Sequence, residues 1–170
     1  MSAGATPALE IVRRAGVDHR IHEYELPERH GRDREERPSY GLEAAEALGV
    51  PPDRMFKTLV ATVDDRLLMA VVPTDRELDL KRLVSAIGGR KASLAEPAAA
   101  ERATGMVIGG ISPLGSRRSL PVVADASVLD HETVFVSAGR RGLQLELAPV
   151  DLVRLSKALT ARVARDERQG

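Results

Sequence analysis

The chain contains no cysteine. Disulfides, thiolate metal centres and a cysteine nucleophile are thereby excluded, and any thiol chemistry would have to be brought by a substrate. No apolar run approaches the roughly 20 residues that a membrane helix requires. Hydrophobic residues at 43% and charged residues at 29% instead match a soluble globular protein. The opening MSAGATPALE has no charged-then-apolar leader, so the expected location is the cytoplasm. Net charge is also lacking: 25 basic residues balance 25 acidic ones, and bulk electrostatics gives no affinity for nucleic acid. The four histidines, His19, His22, His30 and His131, show no ligand spacing with carboxylates. His19 and His22 fall on opposite faces of an expected strand, and neither a metal nor another cofactor is expected.

What the sequence does have is glycine and proline at the ends of periodic segments. At 170 residues the length suits one domain, spanning 1–170. Thr6-Pro7 opens a first helix that Gly16 ends. His19 to Glu25 reads as a strand, with His22 and Tyr24 on one face and Ile21 on the other. The charged stretch 26–39 has no periodicity and reads as a mobile loop or insertion. Leu42, Ala45 and Leu48 mark a second helix stopping at Gly49. Phe56 to Val63 and Arg66 to Val72 form a hairpin about Asp64-Asp65, the second strand apolar on both faces and therefore central.

Leu80, Leu83, Val84 and Ile87 follow a capping Asp79 at helical spacing, and Gly88 closes that helix. An alanine-rich helix runs from about Glu96 to Thr104, and Met106 to Ile108 is expected as a strand edge. Pro121 to Asp125, Thr133 to Ser137 and Leu143 to Leu147 complete the strands. A long final helix is expected to turn Val150, Val153, Leu155 and Leu159 toward the core, with 165–170 fraying. The expected class is α+β: a mixed, partly barrel-like sheet with helices packed around it.

Lys57 shares a strand face with Leu59, Ala61 and Val63. An ammonium on such a face either reaches out to water from the strand end or lies in a site, because burying it unpaired is costly. Thr58 points the other way. The stretch GGISPLG, 109–115, offers several backbone N–H groups with few side chains in the way, a shape suited to a phosphate or a developing oxyanion. SAGRRG, 137–142, supplies a second glycine loop. Arg117-Arg118 and Arg140-Arg141 are basic tips beside glycines, either gripping a short polyanion or simply solvated. Neither GxSxG, GxxxxGK[ST] nor GxGxxG occurs, so a serine elbow and the nucleotide loops are excluded.

Taken together, FKTL at 56–59, LDLKRL at 78–83, TGMVIGGISPLGSRRSLP at 104–121 and VFVSAGRRGLQLEL at 134–147 resemble the YbaK/EbsC family. These are free-standing relatives of the prolyl-tRNA synthetase editing domain, and the likeness runs through nearly the whole chain. It implies the family's fold and an aminoacyl-tRNA deacylase that clears cysteine from mischarged tRNA(Pro), without a cofactor. It also implies a substrate thiol that attacks its own ester. Lys57, Gly109 and Gly110 take the catalytic places. Tyr24, Tyr40, Thr58, Ile111, Ser112, Pro113, Ser137, Gly139 and Gln144 line the substrate pocket. Arg117, Arg118, Arg140 and Arg141 meet the acceptor end of the tRNA, with prolyl-tRNA synthetase as a further partner. Two positions depart from the family pattern: Ala138 replaces a glycine, and Gln144 replaces an aspartate.

Overall fold

In the computed structural model residues 5–26 and 40–166 are described. The charged stretch 26–39 therefore lies, except for Leu26, outside the described residues, and so do 1–4 and 167–170. Helix α1 spans Pro7–Ala15. Thr6 caps it in extended conformation, its hydroxyl accepting from the Leu9 N–H, and Gly16 ends it at φ 68°. Strand β1 follows at His19–Glu23, then α2 at Tyr40–Leu48, a short 3-10 turn at Pro52–Arg54, and β2 at Phe56–Val63. Asp64 and Asp65, at φ 48° and 68°, make the tight left-handed turn into β3, Arg66–Pro73. Asp64 is held there by accepting from the Arg90 and Lys91 N–H groups.

The next helix, α3, is Leu80–Ile87, its N-terminus capped by the Asp79 carboxylate. Strand β4 (Ala92–Leu94), helix α4 (Pro97–Thr104) and strand β5 (Val122–Asp125) follow. Strands β6 (Val134–Ser137) and β7 (Leu143–Leu147), helix α5 (Pro149–Ser156) and strand β8 (Leu159–Ala161) complete the chain.

These elements form an α+β domain with two sheets. One is antiparallel, in the order β1-β7-β6; the other, β4-β2-β3-β5-β8, is mixed, because β5 runs parallel to both β3 and β8. They are not closed into the partial barrel that the sequence suggested. An isolated parallel bridge between Met55 and Phe135 brings the start of β2 alongside β6. The main core gathers Leu9, Val12, Phe56, Met69, Leu143, Leu145, Leu147 and Leu152. A second core lies beneath α3, where Ala61, Val63, Leu78 and Leu83 meet. Met55, Phe135, Ala44 and Ala45 form a third under α2. Each fully buried leucine contributes roughly 1.5–3 kcal/mol of transfer free energy.

The strand expected at Met106 to Ile108 is not one. Met106 is buried, Val107 exposed, and the segment curls into a turn in which Gly110 N–H donates to Val107 O at 2.8 Å. The final helix is also shorter than expected. Lys157 adopts φ 56° and donates back to Arg154 and Val153, so the helix stops at Ser156 and Leu159 moves onto β8. Val150 and Leu159, expected in the core, are 66% and 48% exposed. Strands β4 and β8 have no counterpart in the sequence reading.

Candidate active site

Lys57 is the second residue of β2 and is half-buried, on the same face as Leu59, Ala61 and Val63. Burial lowers its pKa from the ordinary lysine value, and the nearby carboxylates of Glu77 and Asp75 only partly offset that. No hydrogen bond or ion pair joins its amine to a described residue. The start of α2 crosses beside it at Gly41. A side chain there would come within 2.3 Å of Thr74 Cγ2, and the same position lies 3.9 Å from Lys57 Cβ. This glycine was missed in the sequence, since YG at a helix start carries no signal of what it will touch.

The glycine loop approaches from the other side. Gly109, at φ 89°, leaves room for the Tyr40 ring, which a Cβ would meet at 2.6 Å. A Cβ at Gly110 would lie 2.7 Å from the peptide between Arg140 and Arg141. The Arg141 guanidinium lies 4.5 Å from the Tyr40 ring centroid, and its Nε donates to Ile108 O at 2.7 Å. In the preceding peptide, Ile108 N–H donates to Glu101 Oε2 at 2.9 Å. The structure thus brings Tyr40, Gly109, Gly110, Arg140 and Arg141 together, with Gly41 linking α2 to Lys57.

Ile111, Ser112 and Pro113 form the buried inner side of the loop. Ile111 belongs to the main core, and the fully buried Ser112 hydroxyl accepts from Leu114 N–H at 3.2 Å. Gly115 sits against the start of α1, where a side chain would meet Ala8 N at 2.7 Å. Gly139, at φ 109°, lies against Thr6.

The sheet β1-β7-β6 presents Gln144 on the face opposite Leu143, Leu145 and Leu147, as alternation requires. Gln144 stands across from His22 on one side and Ser137 on the other, is 5% exposed, and has no partner for Oε1. Ser137 accepts from Gly139 N–H at 3.2 Å. Tyr24 is half-buried against the third core, and its N–H donates to Gly142 O at 3.0 Å. Ser137 and Lys57 each follow by two residues the isolated parallel bridge between Phe135 and Met55. Thr58 lies on the opposite face from Lys57, its buried Oγ1 unpartnered. Arg117 and Arg118 are exposed and donate their N–H groups to Thr104 O and Ala103 O at the end of α4. No described contact joins them to the Tyr40 group.

A network on this sheet face was not read from the sequence. Glu146 binds His22 Nε2 at 2.8 Å, Thr133 Oγ1 at 2.6 Å and Arg54 Nη2 at 3.2 Å. Arg54 also donates to Thr133 O and to its hydroxyl. His22 and Arg54 both lie over Phe135, at 5.1 and 5.2 Å. Burial pushes the Glu146 carboxyl up, but hydrogen bonds from Thr133 and His22, with the charges of His22 and Arg54, hold it below the usual range. The available signal was Glu146 sharing a strand face with Gln144. Among the described residues no cluster of three or more metal-ligating side chains occurs. A shallow cavity of about 360 Å³ between α3 and β8, lined by Lys81, Arg82 and Arg162 among others, shares no residue with the Lys57 group.

The model of the aminoacyl-tRNA editing domain matches residues 37–155, which include Lys57 and both glycine loops. The chain belongs to this family. EbsC of Enterococcus faecalis, named as a candidate Cys-tRNA(Pro)/Cys-tRNA(Cys) deacylase, is 33% identical over 95% of this chain and 94% of its own. The multifunctional Ser/Thr-tRNA deacylase ProXp-y of Escherichia coli is 33% identical over 53% of this chain and 54% of its own. A crystal structure of a candidate trans-editing enzyme for prolyl tRNA synthetase has the same fold. It superposes with a TM-score of 0.77 over 96% of this chain and all of that one, at 23% identity. No described helix is long and apolar enough to cross a membrane.

Proposed function

We propose that this member of the editing family is a free-standing deacylase that removes cysteine from mischarged tRNA(Pro) in the cytoplasm. The observation that carries the reading is a desolvated Lys57 with no ion pair to a described residue, in an editing-family chain whose glycine loops meet around Tyr40 and which has no thiol. Ser112, the hydroxyl in the loop, is fully buried and engaged in its own turn, which leaves no nucleophile there. The substrate then supplies one. Its thiolate sulfur bonds to the ester carbonyl carbon, the carbon–oxygen bond to the ribose breaks, and the thiol proton passes to the ribose oxygen. A cyclic thiolactone leaves and opens in water to cysteine.

The protein's part is positioning and electrostatics. Gly110 N–H is spent on Val107 O, so the loop amides proposed for the developing oxyanion are those of Gly109 and Ile111. Each such donor is typically worth about 3 kcal/mol. Lys57 balances phosphate or ribose oxygens of the terminal adenosine. Tyr24, Ser137 and Gln144 wall the aminoacyl pocket, with Thr58, Ser112, Pro113 and Gly139 shaping it from behind. Arg140, Arg117 and Arg118 meet the acceptor-stem backbone, and prolyl-tRNA synthetase is the proposed partner that hands over the tRNA. The unpartnered Oε1 of Gln144 favours one second reading, a pocket that accepts a hydrogen bond from a serine or threonine hydroxyl.

Purified protein mixed separately with cysteinyl-, seryl-, alanyl- and prolyl-tRNA(Pro) tests the proposal. The cysteine ester should disappear fastest and the proline ester persist. Faster loss of serine would favour the second reading, and no acceleration of any ester over spontaneous hydrolysis would overturn both.

A further inference from the structure

We infer that Arg141 is a positioning residue of the site, acting through its planar guanidinium and not through its charge. It locks the Tyr40 ring and the turn at Ile108–Gly110 into one unit. Three close approaches converge on it. Its guanidinium carbon lies 4.5 Å from the Tyr40 ring centroid, its Nε donates to Ile108 O at 2.7 Å, and its backbone N lies where a Cβ on Gly110 would be only 2.7 Å away.

The peptides flanking Ile108 are therefore tied from both sides, the N–H to Glu101 on α4 and the carbonyl to Arg141 on the β6–β7 turn. Gly109 follows directly, held at φ 89° against Tyr40. A side chain serving only as a phosphate contact would leave its guanidinium turned to water. Arg140 and Arg141 are both exposed, but of the two only Arg141 has its guanidinium hydrogen-bonded to a described residue. Lysine keeps the charge but has neither a planar face for the ring nor a nitrogen at the Nε position.

Arg141→Lys and Arg141→Ala separate shape from charge. The activity arm rests on the deacylase reading: both variants should lose about 10- to 100-fold in kcat, while Arg141→Lys keeps the wild-type KM and salt dependence of RNA binding. The second arm needs no substrate. Amide hydrogen exchange at Gly110, whose N–H donates to Val107 O, should accelerate in Arg141→Lys while Leu145, in the core, stays unchanged. Wild-type kcat in Arg141→Lys, unaltered exchange at Gly110, or an equal rise at Leu145 would each overturn the inference. If the wild-type protein hydrolyses none of the esters, the deacylase reading fails and exchange alone decides the role of Arg141.

Discussion

Thr6 and Ala138 are joined by a 2.5 Å hydrogen bond from the threonine hydroxyl to the backbone carbonyl. The same hydroxyl accepts from Leu9 N–H at 3.2 Å, so one side chain caps α1 and fastens the turn between β6 and β7. Thr6→Val keeps the shape and removes both bonds, which should cost about 1–2 kcal/mol. Thr6→Ser should restore most of it. Urea denaturation of the three proteins checks the difference.

Lys57→Met should abolish most deacylation without lowering stability. The amine is desolvated and has no ion pair among the described residues, so the folded state gains little from it. Its folded pKa lies below the unfolded value, and the unfolded chain binds more protons between the two. Stability in wild type should therefore rise with pH through that alkaline window, and the variant should lack that rise. Thermal melts across the window, with a deacylation assay, test both halves. Near-normal turnover would remove Lys57 from the site.

Asp125 accepts from the N–H groups of Val163, Ala164 and Ser127 and from the Ser127 hydroxyl. Burial pushes its carboxyl up, but these four bonds hold it below the usual range, as the His22, Thr133 and Arg54 contacts do for Glu146. The stability both contribute is full above the ordinary carboxylate range and is lost as pH falls through their folded values. Asp125→Ala strands the amides that bind the end of β8's chain and should cost about 3 kcal/mol at neutral pH. Acid titration of unfolding should show a shallower acid limb in this variant than in wild type.

Much of the fold was legible because its punctuation is local. Asp79 and Gly88 bracket α3 through bonds between near neighbours, and the paired aspartates Asp64-Asp65 mark a hairpin turn. What escaped left no mark in residue type or period. Lys157 ends α5 in a left-handed conformation that a lysine does not advertise, and the three-residue strands β4 and β8 are too short to show a period. Met106 to Ile108 has the apolar look of a strand, yet its peptides are drawn off by Glu101 on the preceding helix and by Arg141 on the distant β6–β7 turn. In the site, Lys57 and the glycine loops stood out by residue type. Gly41, Thr6 and the Glu146 network did not, because their roles exist only once α2, α1 and the small sheet are in place.

Arg140 is exposed and free of hydrogen bonds to described residues, the arrangement expected of a phosphate contact. Arg140→Ala should weaken binding to the tRNA acceptor stem uniformly across sequences. It should also reduce the slope of log affinity against log salt by about one. An unchanged slope would mean a solvated side chain that meets no phosphate.

The claim that the substrate supplies the nucleophile is tested most directly with tRNA(Pro) bearing S-methylcysteine in place of cysteine. The methyl group adds little bulk, a change that typically alters pocket discrimination by only about 1–3 kcal/mol, but it removes the attacking thiol. With the substrate thiol as nucleophile, the S-methylcysteine ester should persist while the cysteine ester is cleared through a thiolactone. Rapid release of free S-methylcysteine would contradict it and would require a water molecule positioned by the protein as the nucleophile.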